Sequence, residues 1–77
     1  MYLASLDDCG LSFKAETIKD IVTAIEGYIK EEYGRFTVSN LTKDTSVSSS
    51  ASKIIDSPGE YLIQTNRLNI YCSIKSI

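Results

Sequence analysis

Apolar side chains recur at Ala15, Ile18, Ile21, Val22, Ile25, Ile29 and Tyr33. Counted from Ile18, this is the i, i+3, i+4, i+7, i+11 series of a helix that packs one stripe against a core. At about 100° per residue these positions, with Tyr28 at the margin, cover an arc of roughly 140°. Glu16, Lys19, Asp20, Thr23, Glu26, Gly27, Lys30 and Glu31 occupy the other side. The pattern predicts a helix over 15–33. Ser12 is the first candidate for its N-cap and Thr17 the second, since a hydroxyl there accepts a free backbone N–H. Gly34 suits the positive-φ position that closes a helix. Glu26 and Lys30 form an i,i+4 pair in the favourable order.

The period changes from 3.6 to 2 in the second half of the chain. Leu68, Ile70, Cys72 and Ile74 alternate with Asn69, Tyr71, Ser73 and Lys75, predicting a strand with one apolar face. Residues 35–41 and 61–65 read as further strands, and residues 1–6 as a short strand or arm. Asp7 to Gly10 reads as a turn. Val47, Ala51, Ile54 and Ile55 fall at the spacing of a second short helix, but serine density across 46–52 favours an extended polar strand or mobile loop, because short hydroxyl side chains compete for the backbone. Ser57-Pro58-Gly59-Glu60 fits a type II turn, and residues 64–67 a second turn. The expectation is a single α+β domain over 1–77. One long amphipathic helix packs on a mostly antiparallel meander of three to five strands.

Composition adds limits. A chain of 77 residues makes one small core and buries only about 60% of its unfolded surface. Without histidine and with only two cysteines, it has too few ligands for the usual all-protein zinc site. Cys9 and Cys72 are expected as reduced thiols, with Cys72 a small buried strand residue. The first ten residues lack a basic region followed by an apolar stretch, and no apolar run reaches the ~20 residues of a membrane span. The expected location is therefore cytoplasmic, with no membrane partner. In that setting the glycosylation pattern at Asn40-Leu41-Thr42 is disregarded. The net charge of −2 divides into −4 over residues 1–33 and +2 over residues 34–77. An acidic helix side and a mildly basic strand side suit a charged partner, whose encounter such fields speed. Ten isoleucines against four alanines suit an AT-rich genome, such as that of a low-GC bacterium or a phage.

Catalytic patterns are missing. There is no histidine to act as a base near pH 7, no Gly-rich phosphate loop and no nucleophile elbow. Asp7-Asp8 and Glu31-Glu32 are sequence neighbours, whereas paired-carboxylate catalysis sets two groups across a cleft. The expectation is a protein that is not an enzyme and uses no cofactor or metal. Glu32 falls inside the apolar arc near the negative helix end: it is expected to reach water from the fraying last turn, or else to sit at an interface rim, with Arg35 the candidate compensating cation. Five tyrosines and no tryptophan suit an interface, where tyrosine is enriched. A carboxy-terminal strand at a sheet edge would also invite another chain. The expected function is a small protein-binding module of the phage- or mobile-element inhibitor or adaptor kind. Its partner is another protein or a second copy of itself, and its contact candidates are Glu32, Arg35, Tyr61, Arg67, Tyr71 and Lys75. The alternative is a nucleic-acid-binding module that stacks bases on Tyr61 and Tyr71 of the strand face. A pI of about 4.9 weighs against it, because nucleic-acid binders carry a basic footprint.

Overall fold

The computed structural model describes residues 1–42, 45–48 and 51–77. It holds strands β1 (Tyr2–Leu6), β2 (Leu11–Ala15), β3 (Phe36–Asn40), β4 (Thr45–Ser48), β5 (Gly59–Thr65) and β6 (Asn69–Ser76), with one helix, α1 (Ile18–Tyr33). The six strands form one sheet in the order β2-β1-β6-β5-β3-β4, and every pairing is antiparallel. The α+β architecture with a helix on an antiparallel sheet is therefore present. The sheet has one strand beyond the three to five expected, and it is not a meander.

The additional strand comes from residues that the helical period had absorbed. Leu11, Phe13 and Ala15 alternate with Ser12 and Lys14, and the segment folds back on β1 with Leu6 opposite Leu11 and Tyr2 opposite Ala15. Gly10, at φ 66°, makes the positive-φ step of that hairpin, its N–H bonded to the Asp7 carbonyl at 3.3 Å. Ala15 belongs to β2, so the helix begins later than 15. Thr17 caps it, its hydroxyl accepting the Asp20 N–H at 3.1 Å. Ser12 is a strand residue, not the cap. At the other end Gly34 has φ 81° and its N–H bonds the Lys30 carbonyl at 3.1 Å, so the chain leaves the helix at the expected place.

Helix α1 links β2 near one edge of the sheet to β3 near the other, and so it lies across one face. Ile21, Val22, Ile25 and Ile29 are buried there. They join Ala4, Leu6, Phe36, Val38, Ile63, Ile70, Cys72 and Ile74 in one cluster. Because β4 and β5 lie on opposite sides of β3, their connection must pass that strand, and its described residues lie on the helix face, where Ala51, Ile54 and Ile55 join the same cluster. The connection contains a 3-10 turn at Ala51–Lys53 and buries all three. Glu26 on α1 accepts the Ala51 N–H at 3.3 Å and approaches Lys30 at 3.9 Å. The expected extended segment over 46–52 is thus a strand to Ser48, while Ser49 and Ser50 lie outside the described residues. The helical spacing of Ala51, Ile54 and Ile55 marks the buried side of this crossover.

Three local expectations are corrected. Gly59 opens β5 at φ 159°, whereas a type II turn needs about +80° at that position; the Ser57–Pro58 segment bends without forming one. Leu68 is 36% exposed and precedes β6. It lies in a turn that the Thr65 hydroxyl organises by accepting the Arg67 and Leu68 N–H groups at 3.2 and 3.1 Å. Strand β6 is central, between β1 and β5, and is not an edge. Near it, the Ile77 N–H bonds the Met1 carbonyl at 3.0 Å. Among the described residues no helix is long and apolar enough to cross a membrane.

Ile25 is 1% exposed, and Ile25→Ala is expected to cost about 2–5 kcal/mol in denaturant unfolding. Gly27 is exposed, and an added Cβ would meet nothing within 4 Å. Gly27→Ala should therefore raise stability by roughly 0.8–1 kcal/mol in the same measurement.

Candidate functional site

With α1 and the described part of the β4–β5 crossover on one face, no element among the described residues covers the other face of the sheet. Antiparallel sheets commonly leave one face to water, and its outward residues are then ordinarily polar. The register assigns these residues to rows. Lys14, Leu3 and Lys75 lie side by side across β2, β1 and β6. Ser12, Ser5, Ser73 and Glu60 form the next row. Tyr71, Leu62 and Ser39 follow across β6, β5 and β3, and then Asn69, Gln64 and Thr37. Leu41 continues the alternation of β3, its N–H bonded to the Glu60 carbonyl at 3.1 Å, and is 50% exposed. Tyr71, Leu62 and Leu41 thus make a diagonal apolar stripe across three strands. Hydroxyls surround it, with Lys14 and Lys75 at one corner.

Tyr71 is tied through its backbone. Beyond Leu6 the β1 ladder stops, and the Asp8 carboxylate accepts the Tyr71 N–H at 3.1 Å in its place. The phenol is held above its ordinary pKa, first by its hydrogen bond with Glu60 and then by partial burial and the charges of Glu60 and Asp7. It stays a neutral donor on this face, which is acidic around the ring and basic toward Lys14 and Lys75.

The six sequence candidates separate. Tyr71 and Lys75 share the uncovered face. Glu32, Arg35 and Arg67 are exposed at the end of the domain where α1 finishes and β5 turns into β6. No ion pair joins Glu32 to Arg35 among the described residues; Glu32 reaches water from the last helical turn, which removes the need for a compensating cation. Arg67 lies over the Tyr33 ring at 5.8 Å. Tyr61 is the clear correction. It is fully buried, and its hydroxyl donates to the Ser57 carbonyl at 2.7 Å, so it can meet neither a protein partner nor a base. The signal was in the parity of β5: Tyr61 shares a face with Ile63, which turns Leu62 outward. Leu3, Lys14, Leu41 and Leu62 were missed because each face assignment needs strand pairings that span the whole chain.

Two other features carry less. A groove of about 580 Å³ runs between α1 and residues 52–56, floored by Ile18, Val22 and Ile55 and bordered by Lys19, Glu26 and Asp56. Its rim holds charges of both signs and so prefers neither. Near the helix end, the Cys9 sulfur lies 3.7 Å from the Tyr33 hydroxyl. Tyr28 packs against both Phe13 and Tyr33 at ring separations of 6.3 Å. Partial burial, reinforced by the Cys9 thiol, pushes the Tyr28 phenol up to about 12. Both cysteines are free. No cluster of metal-ligating side chains occurs among the described residues.

Compared with known protein families, curated proteins and solved structures, the chain matches none of them.

Burial pushes the Cys72 thiol from 9.0 to about 12. The folded state keeps that proton after the unfolded chain has released it. The resulting stability is complete below pH 9.0 and declines as the pH rises toward about 12. Chemical denaturation along this range should show a steeper alkaline loss in the natural chain than in Cys72→Ala. At neutral pH iodoacetamide should alkylate the half-buried Cys9 before Cys72, read by peptide mass.

Proposed function

We propose that this chain is a small, non-enzymatic protein-binding module that engages its partner through the uncovered face of the sheet. The observation that carries this reading is the Tyr71–Leu62–Leu41 stripe on a face whose neighbouring outward positions are largely serine, threonine and amide residues. Tyrosine supplies a large, stiff contact surface with a polar end, and serine and asparagine supply adaptable hydrogen bonds; binding loops selected for protein recognition share this composition. The strands beneath are packed on α1, so the face is rigid and binding costs little ordering entropy. Lys14 and Lys75, two rows from Tyr71, orient the partner and favour an acidic segment at that corner. An inhibitor or adaptor works in this way, by occupying a surface without chemistry of its own. Origin in a phage or mobile element remains part of the proposal on the grounds of composition. A base-stacking role finds less support, since Tyr61 is in the core and one aromatic ring, Tyr71, is left on the sheet face.

The test is differential capture from the native host. The natural chain, Leu62→Asp with Tyr71→Ala, and Arg35→Ala with Arg67→Ala are compared as baits. A protein enriched by the natural chain and the arginine variant, but lost with the Leu62/Tyr71 variant, supports the reading. Equal retention by all three baits, or loss on the arginine variant alone, contradicts the proposed face.

A further inference from the structure

We propose that two copies of this chain join through β2, pairing antiparallel about Phe13 to form one continuous twelve-stranded sheet. Strand β2 is an edge of the sheet, and an edge presents unpaired backbone groups to another strand. Beneath it is a half-buried aromatic ledge: Phe13 packs on Tyr28 of α1 at 6.3 Å, and Leu11 beside it is 38% exposed. The occupant follows from the segment's self-complementarity. A two-fold axis at Phe13 sets Leu11 opposite the second copy's Ala15 and Phe13 opposite Phe13, all on the helix side. Ser12 then faces Lys14 on the uncovered side, at both ends of the pairing. Apolar meets apolar, and no like charges stand opposite each other. A lysine on an edge strand ordinarily deters pairing, but here Lys14 meets a serine hydroxyl and has open space above it. The isologous contact closes on itself, so association stops at two copies. The two uncovered faces would lie side by side, giving a partner twice the surface.

The register makes this testable at one exposed residue outside the core. Sedimentation equilibrium of the purified 8.5 kDa chain should show a species of twice that mass at high concentration. Ser12→Glu places a carboxylate opposite Lys14 and should tighten the dimer. Ser12→Lys places like charges opposite and should weaken it, each by about 2- to 30-fold in dissociation constant, because the pair occurs twice. Circular dichroism of all three chains at dilution confirms a common fold. A chain monomeric at millimolar concentration overturns the proposal, as does a dimer whose dissociation constant ignores both substitutions. Since the readout is the mass of the chain alone, failure here is distinct from failure of partner capture.

Discussion

Everything in this domain depends on burial of the isoleucine stripe of α1 against one face of the sheet. Ile21, Val22, Ile25 and Ile29 meet the inward residues of β1, β3, β5 and β6 in one cluster. At about 1.5–3 kcal/mol per fully buried aliphatic side chain, no other set of contacts in so small a chain compares with it. The ion pair between half-buried Glu26 and exposed Lys30 is long, at 3.9 Å, and contributes about a few tenths of a kcal/mol. Hydrophobic contact fixes which face α1 covers, and thereby which side chains the sheet turns the other way.

Strand order follows from the same requirement. A helix that links β2 to β3 must cross β1, β6 and β5, and in crossing them it seals the centre of the sheet. The pairing of β1 with β6 places the two most distant strands of the sequence side by side at that centre. The β4–β5 connection crosses on the helix side as well, held by the Glu26 carboxylate on the Ala51 N–H. Both crossovers on one side leave the other side open among the described residues. This asymmetry leaves the Tyr71–Leu62–Leu41 side of the sheet for the proposed binding role, with β2 and β4 as the outer strands.

Periodicity made much of this legible. The helical stripe and the alternation of β6 were visible because each is a local repeat that one element satisfies by itself. The start of the helix was misread because Ala15 fits the helical arc and the β2 alternation equally well; only the hairpin with β1 separates them. Tyr61 was misplaced because an aromatic residue beside a turn suits a surface or a core, and the decision rests on its face-mate Ile63. Leu68 continued the β6 pattern by parity, but the Thr65 hydroxyl closes the turn around it. The outward face of the sheet was the least legible part. Its rows join residues as far apart as Leu3 and Lys75, and sequence spacing carries no information on such pairings.

The most direct measurement is methyl NMR on chains labelled at isoleucine and leucine, with a soluble paramagnetic agent added. Ile21, Ile25 and Ile29 should show nuclear Overhauser contacts to Ile63, Ile70 and Ile74 and remain sharp, while Leu3, Leu41 and Leu62 broaden. Broadened helix isoleucines without those contacts, beside protected leucines at 3, 41 and 62, would place the covered face on the wrong side of the sheet and contradict the account.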